Sequence, residues 1–120
     1  MSDYRELTVW RKAHGLTMEI YRITRTFPSD ERFGLCSQLR RAAISAVSNI
    51  VEGTGRVTPG EYGHFLSIAR GSIREVECQL LIARDLGYLQ AEQWSPLDAE
   101  AQQISRMLKG LITSLKARPK

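Results

Sequence analysis

Apolar residues recur along this chain in alternating steps of four and three, the spacing that keeps side chains on one face of an α-helix. Near the N-terminus this spacing is followed by Val9, Ala13, Leu16, Ile20, Ile23 and Phe27. Near the C-terminus it is followed by Leu97, Ala101, Ile104, Leu108, Leu111 and Leu115. No segment alternates apolar and polar residues for long enough to predict a strand. The pattern therefore predicts an all-α protein.

Prolines, glycines and capping residues divide the chain into four predicted helices. Their approximate ranges are 6–27, 30–52, 59–87 and 95–117. The marks of helix starts are Ser29, Thr58-Pro59 with Glu61, and Ser95-Pro96, and the marks of helix ends are Pro28, Gly53 and Gly87. Short connections favour antiparallel neighbours, so we expect one domain over residues 1–120, an antiparallel up-down four-helix bundle.

Two positions qualify this helix pattern. Pro96 lies near the start of the last helix, and residues 90–94 are open to a preceding helical turn that Pro96 kinks. Gly71 lies inside the third helix, where glycine costs about 1 kcal/mol relative to alanine. We expect close contact with a neighbouring helix to offset that cost.

The composition is that of a folded protein, with 42% hydrophobic and 25% charged residues. The N-terminal sequence lacks the uncharged run of a secretory leader, and no stretch is apolar enough to span a membrane. Cys36 and Cys78 lie in apolar surroundings without metal-ligand spacing, so we expect both to be reduced and buried. His14 and His64 also lack ligand spacing. We expect a cytoplasmic protein without metal, cofactor or membrane contact.

The net charge of +4 is spread evenly along the chain. Residues 1–60 carry 9 basic and 6 acidic side chains, and residues 61–120 carry 8 and 7. Neither terminus is a basic tail. The charge permits nucleic-acid binding without indicating it.

A polar stripe runs beside the apolar face of the second helix and has a counterpart on the third. Its members are Gln38, Arg41, Ser45, Asn49 and Glu52, then Ser72, Glu75 and Gln79. Arg41 and Glu75 are a candidate ion pair between the helices. Three interpretations are open: a solvated face, a structural polar network in the bundle or at a subunit interface, and a ligand or catalytic site. Neither histidine falls on the stripe to serve as a base, so we expect no enzymatic activity.

The segments Gln38–Ala43 and Asn49–Arg56, with Ser45 between them, resemble the signature of a known bacterial family. The family is the 23S rRNA intervening-sequence protein family, also called the four-helix bundle proteins. Phe65–Ser72, followed by Glu75 and Glu77, is similar to its second motif. The resemblance extends over nearly the whole chain and departs at Gly15, Gly63 and Pro96.

The resemblance implies a small all-α protein that assembles into a ring-like homopentamer and has no settled biochemical role. The accessory variability determinant of diversity-generating retroelements is similar to this family in its bundle and its pentameric barrel. That protein is associated with nucleic acid and a reverse transcriptase. Nucleic-acid binding by this chain is therefore inferred only by analogy of fold.

The candidate nucleic-acid contacts are arginines on the predicted outer faces: Arg40, Arg56, Arg70, Arg74 and Arg84. Arg70, Arg74 and Arg84 fall near one strip of the third helix, which Glu77 dilutes. Five copies at +4 each would carry +20, a field that attracts phosphates. The alternative is that these arginines only solvate the bundle.

Two further features are open to a nucleic-acid role. Backbone N–H groups of Gly53–Arg56, before a capped helix, are candidates for holding a phosphate, and the alternative is a tight helix connection. Trp10, Tyr21 and Phe27 are stacking platforms if they are exposed and packing residues if they are not. The sequence thus favours a non-enzymatic oligomer that binds RNA or DNA, and the alternative is a protein-interaction scaffold without nucleic-acid binding.

Overall fold

The computed structural model describes residues 3–118, which form four α-helices and no strand. The helices are α1 (Thr8–Thr24), α2 (Leu35–Thr54), α3 (Pro59–Asp85) and α4 (Ala91–Lys116). Single 3₁₀ turns at Tyr4–Glu6 and Ser29–Glu31 precede α1 and α2. Each helix packs against the next, and α4 packs against α1. The predicted up-down four-helix bundle is confirmed, with overall dimensions of 49 × 22 × 20 Å.

The core consists of the apolar stripes that the helical spacing identifies. All six stripe residues from Val9 to Phe27 are buried, as are Leu97, Ala101, Ile104, Leu108 and Leu115. Ile20, Leu39, Ile50, Leu66, Ile73 and Leu80 are among the fully buried side chains contributed by α1, α2 and α3. Burying one such side chain stabilises the fold by about 1.5–3 kcal/mol.

The second helix begins five residues later than the sequence indicates. Ser29 starts the short 3₁₀ turn, and a side chain from that turn caps α2. The Leu35 N–H donates to Glu31 Oε1 at 3.0 Å, and the Tyr88 hydroxyl donates to Glu31 Oε2 at 2.8 Å. Both hydrogen bonds lower the pKa of Glu31, and the bond from Leu35 has the larger effect. Glu31 therefore links the start of α2 to the connection between α3 and α4.

The fourth helix begins at Ala91, before the proline predicted to start it. The Gln93 side chain caps this end, because its Oε1 accepts the Gln90 N–H at 2.8 Å. Pro96 lies in the second turn. It has no N–H to donate to the Glu92 carbonyl, which weakens the helix locally without ending it.

The glycines at the ends of α2 and α3 have different roles. Gly87 has φ +82°, and the Gly87 and Tyr88 N–H groups donate to the Arg84 and Ala83 carbonyls, each at 2.9 Å. These are the two hydrogen bonds of a Schellman cap, so Gly87 ends α3 as predicted. Gly53 instead lies within α2, which ends at Thr54. Its lack of a side chain makes room for Tyr62, whose Cδ1 lies 2.8 Å from where a Cβ would be.

The two cysteines lie in different environments. Cys36 is buried, its Sγ donates to the Thr24 carbonyl at 3.5 Å, and burial raises the pKa of its thiol. Cys78 is exposed. The expectation that both are buried is wrong for Cys78, because its position falls on the outward side of α3 with Gly71 and Arg74.

Residues 3–118 carry neither a membrane-spanning helix nor a clustered metal site. None of the helices there is long and apolar enough to cross a membrane. Within the same residues, no group of three or more His, Cys, Asp and Glu side chains is placed to hold a metal ion.

Candidate nucleic-acid interface

Part of the polar stripe forms a hydrogen-bonded network between α2 and α3. Ser45 Oγ and Ser72 Oγ lie 2.8 Å apart, and Ser72 is buried. Asn49 Nδ2 donates to the Ser45 carbonyl at 2.8 Å and approaches Ser45 Oγ at 3.3 Å. These three side chains satisfy one another inside the helix contact, as buried polar groups must.

The rest of the stripe faces outward. Glu52 pairs with Arg56 at 2.8 Å, and Gln38, Arg41 and Glu75 are exposed. The candidate Arg41–Glu75 ion pair does not form, and neither side chain pairs with another residue among those described. Gln38, Arg41, Glu75 and Gln79 line a small cleft of about 140 Å³. Gln79 Oε1 is buried beside this cleft without a hydrogen-bond partner.

Arg40 lies between α1 and α2 rather than projecting outward. Its Nε donates to Thr24 Oγ1 at 2.9 Å, and its guanidinium carbon lies 4.6 Å from the centre of the Tyr21 ring. A half-buried guanidinium held by a hydrogen bond and an aromatic face contributes to packing. Arg40 is therefore placed to connect two helices, not to meet a phosphate.

Arg56 and Arg84 are each engaged by a carboxylate and an aromatic ring. Arg56 pairs with Glu52 and lies 4.6 Å from the centre of the Phe65 ring. Arg84 pairs with Asp85 at 3.1 Å and lies 4.4 Å from the centre of the Trp94 ring. Each guanidinium is thus held by a carboxylate and a ring of the bundle itself.

Arg70 and Arg74 lie on the side of α3 that faces α4. Arg70 Nε donates to Ser105 Oγ at 3.3 Å, and Arg74 pairs with Glu77 at 3.2 Å. The Glu77 side chain is only 14% exposed. Burial raises the pKa of Glu77 despite the opposing effect of Arg74. Arg74 is therefore paired with a carboxylate that is itself poorly solvated.

A groove of about 390 Å³ runs between α3 and α4 beside these two arginines. We call it the α3–α4 groove. Its charged lining is Arg70 and Arg74 from α3, with Lys109 and Lys116 from α4. A shorter section of about 260 Å³ continues it toward the start of α3 and is lined by Gly63, His64 and Leu115. No carboxylate lines either section among the residues described.

The α3 side of this groove is formed partly by glycine. A Cβ built on Gly63 or Gly71 would meet no atom within 4 Å. The expected close helix contact at Gly71 is therefore wrong, because the space above it opens into the groove. Nothing within the described chain explains a glycine at either position.

The basic lining arises from charge separation along α4. Residues 91–104 contain Glu92, Asp98 and Glu100 and no basic residue, whereas 105–118 contain Arg106, Lys109, Lys116 and Arg118 and no acidic residue. The antiparallel arrangement places the basic half of α4 beside Arg70 and Arg74. Sequence reasoning missed Lys109 and Lys116, although counting charges over half of one helix would have indicated them.

A larger cleft of about 680 Å³ lies between α1 and α4, but its charges are mixed. Lys12 pairs with Glu100 at 3.4 Å, and Arg22 pairs with Glu19. The remaining charged residue of its lining is Glu92. This cleft offers no unpaired cation to a phosphate.

The loop at Gly53–Arg56 uses its N–H groups within the chain. The Gly55 N–H donates to the Glu52 carbonyl at 3.2 Å, and the Arg56 N–H donates to the Gly53 carbonyl at 3.1 Å. Thr58 caps α3 by accepting the Glu61 N–H at 3.1 Å. Glu61 Oε1 accepts from the Thr58 hydroxyl rather than completing a capping box. This geometry favours a tight connection over a phosphate cradle.

The three aromatic candidates for base stacking are occupied by packing. Trp10 is half-buried, with its ring centre 4.9 Å from that of His14 in a stacked arrangement and 5.2 Å from that of Tyr4. Tyr21 lies under Arg40, and Phe27 is buried. These residues act in the bundle rather than as open platforms.

Comparison with known proteins gives the family directly. The family model described as 23S rRNA-intervening sequence protein matches residues 5–110. The chain belongs to this family. Among the groove cations, the match includes Arg70, Arg74 and Lys109 and ends before Lys116.

A protein of known crystal structure has a similar fold. The crystal structure of a protein of unknown function from the S23 ribosomal protein family of Bacteroides thetaiotaomicron matches with a TM-score of 0.79 and 21% sequence identity. The alignment covers 88% of this chain and 98% of that one. At this identity the likeness shows the fold alone. No protein with a curated description matches the sequence significantly.

The segment that resembles the family signature, residues 38–56, packs α2 against α3 in the bundle. Ser45 and Asn49 form the network with α3, and Gly53 admits Tyr62. Arg41 is left exposed on the same segment. The signature thus supplies helix packing and a surface, and its side chains do not converge on one chemical centre.

Proposed function

We propose that this protein is a non-enzymatic, homo-oligomeric four-helix bundle that binds RNA or DNA through a basic outward face. The supporting observation is the α3–α4 groove, which has four cations and no carboxylate in its lining. Clusters of lysine and arginine bind the phosphate backbone without reading base sequence. The proposal requires neither a metal nor a cofactor.

The contact residues differ from the set that the sequence suggests. Arg70 and Arg74 remain in the proposed interface, and Lys109 and Lys116 join them. Arg40, Arg56 and Arg84 leave it because none of them lines the α3–α4 groove. In a homopentamer, the state that the family resemblance implies, the groove would occur five times around the ring.

Salt-dependent binding tests this function. Fluorescence anisotropy with labelled RNA and DNA at about 50 and 200 mM salt is expected to show affinity falling steeply with salt, because phosphate contacts release counterions. Absence of binding at the lower salt concentration, or binding insensitive to salt, would contradict the proposal.

The non-enzymatic part of the proposal is supported by the positions of the candidate catalytic side chains. Asn49 is held in the serine network, and Glu52 pairs with Arg56. Arg41 and Glu75 lie on the surface. No positioned base accompanies these four side chains, which catalysis of acyl or phosphoryl transfer would require.

A protein-interaction scaffold is the second candidate, favoured by an apolar strip on the outside of α3. Ile68, Ile82 and Leu86 are 40%, 43% and 55% exposed and recur at helical spacing. Such strips are typical of protein contact surfaces. Affinity purification tests this candidate: a protein partner recovered by the wild type and lost after Ile82→Glu would support it, and recovery of nucleic acid alone would contradict it.

A further inference from the structure

We propose that the α3–α4 groove holds a single-stranded nucleic-acid backbone, with the sugar-phosphate chain against Gly63 and Gly71 and its phosphates on the surrounding cations. This inference rests on the proposed nucleic-acid binding and specifies its site and strand state. Two independent observations carry it: the charge of the lining and the uncovered glycine backbone of α3.

The four cations have capacity left for phosphate oxygens. Arg70 uses Nε for Ser105, and Arg74 uses one terminal nitrogen for Glu77. Since a guanidinium has five N–H donors, each arginine retains most of its donors. Lys109 and Lys116 are exposed and form no ion pair with a described residue. Charged donors thus lie on both sides of the groove.

No long side chain covers the helix backbone along one line of α3 in the groove, because three small residues lie there. Gly63, Ser67 and Gly71 are four residues apart and therefore share one face of α3. The open space above both glycines shows that their lack of a side chain serves no contact within the described chain. A ligand backbone seated there would approach α3 closely, which is a common reason for glycine at such positions.

The shape of this face favours a single strand over a duplex. An α-helix with side chains is about 10–12 Å across, so α3 and α4 side by side are too wide for a major groove of about 12 Å. A duplex would therefore meet the helix pair only from outside. A flexible strand can enter the recess and reach half-buried Arg70. Beyond Ser67, the exposed His64 also lines the groove.

Filling the groove without changing its charge is the decisive experiment. Gly71→Gln adds a neutral side chain where there is open space, and glutamine forms helices better than glycine. We expect an unchanged or higher Tm together with a Kd for single-stranded RNA or DNA raised about tenfold. Loss of binding by a protein at least as stable as the wild type is not explained by misfolding.

Gly15→Gln is the matched control. Gly15 is also a helix-interior glycine with open space, but it lies in the α1–α4 cleft. Its Kd is expected to remain at the wild-type value. Equal weakening by Gly15→Gln and Gly71→Gln would overturn the inference, as would wild-type affinity in Gly71→Gln.

A second pair of variants tests the charges. Lys109→Gln with Lys116→Gln removes two groove cations, and Arg25→Gln with Arg32→Gln removes two exposed cations elsewhere. Each phosphate contact contributes about −0.7 to the slope of log K against log salt for single strands. The groove pair is expected to reduce the slope by about 1.4, and the control pair to leave it nearly unchanged.

The outcomes separate the groove from the general function. Wild-type protein that binds no nucleic acid at low salt contradicts the proposed function and the groove together. Wild-type binding that neither groove variant weakens contradicts the groove alone. Duplex bound as tightly as the matching single strand overturns the strand preference. Weakening by both groove variants, with both controls unchanged, supports the inference.

Discussion

Arg40 illustrates how a basic residue on an amphipathic helix serves the fold. Its stem crosses from α2 toward α1, where the guanidinium meets Thr24 Oγ1 and the Tyr21 ring. Thr24 is itself buried and donates to the Ile20 carbonyl at 2.7 Å. Removing Arg40 would leave the Thr24 hydroxyl oxygen and the Tyr21 face without this partner. Arg40 therefore contributes to the stability of the folded protein.

We expect Arg40→Ala to lower the free energy of unfolding by about 1–3 kcal/mol, because it removes a charge-assisted hydrogen bond and an aromatic contact. Urea unfolding measures the change. Arg25→Ala removes an exposed arginine from the end of α1 and is expected to stay within about 0.5 kcal/mol of the wild type. Equal effects of the two substitutions would refute the assigned role.

Glu77 is a residue whose burial has a measurable pH effect. Its Oε1 accepts from Arg74, and its Oε2 is buried without a hydrogen-bond partner. Burial raises the pKa of Glu77 above the ordinary value of 4.5. The folded protein therefore binds this proton more tightly than the unfolded chain does, so acidification favours folding at this site.

We expect the stability of the wild type relative to Glu77→Gln to rise as the pH falls through the raised pKa. The contribution is complete below the ordinary glutamate pKa and lost as the pH rises through the folded value. Comparing the two proteins by thermal unfolding at a series of pH values isolates this group from the other carboxylates. A stability difference that is flat in pH would show that Glu77 is not perturbed.

At the scale of the element, Gly53 of α2 and Gly71 of α3 differ in whether a side chain would fit. Gly53 lies under the Tyr62 ring, and a Cβ there would also come within 3.3 Å of Phe65 Cβ. Gly71 has open space on its side of α3. The same substitution to alanine should therefore have opposite effects at the two positions.

We expect Gly71→Ala to raise the free energy of unfolding by about 0.5–1 kcal/mol through helix propensity alone. Gly53→Ala is expected to lower it by about 1–3 kcal/mol, because Tyr62 must shift from a packed position. Chemical denaturation of both variants beside the wild type measures the pair. A stabilised Gly53→Ala would show that Tyr62 moves without cost.

The existence of the four helices was predictable from the sequence. The residues at which α2 and α4 begin were not. Apolar stripes in the first and last helices, with capping and breaking residues between them, predicted four helices, because a 3.6-residue repeat leaves one face to bury. The start of α2 depends on Glu31, whose capping contact with Leu35 is supported by Tyr88, 57 residues away in sequence. Local capping patterns do not contain that partner. Pro96 was given too much weight, because the Gln90–Gln93 contact starts α4 before it.

At the scale of the whole molecule, the outer face of α3 next to α2 lacks a partner. Ile68, Ile82 and Leu86 are exposed there, and the Arg41 and Glu75 charges beside them are unpaired. Opposite charges on one face can pair between copies of the same chain. This face is therefore our proposed contact between subunits. The protein-interaction alternative assigns the same strip to a different protein instead.

We expect light scattering to give an oligomeric mass for the wild type at micromolar concentration and a monomeric mass for Ile68→Glu with Ile82→Glu, since two carboxylates cannot be buried in an apolar contact. Met18→Glu, an exposed apolar position on α1, is the matched control and should keep the oligomer. A monomeric wild type would contradict the assembly, and an oligomeric double variant would place the contact elsewhere.

The candidate site was predictable only in part. The list of outward arginines contained Arg70 and Arg74, but it also contained Arg40, whose contacts lie on another helix. Helical spacing states which side of its own helix a residue occupies. It does not state what lies across from that side, so Lys109 and Lys116 were not connected with Arg70 and Arg74, and the candidate Arg41–Glu75 pair does not form.

The four helices, the buried stripes and the family can be predicted from the sequence, because they depend on patterns within short segments. The position of the charge depends on how the helices pack. Each half of the chain is nearly balanced, but antiparallel packing places the basic half of α4 beside the arginines of α3. Electrostatic attraction depends on distance in space rather than along the chain. A weak and evenly spread net charge thus becomes a basic groove only when the bundle forms.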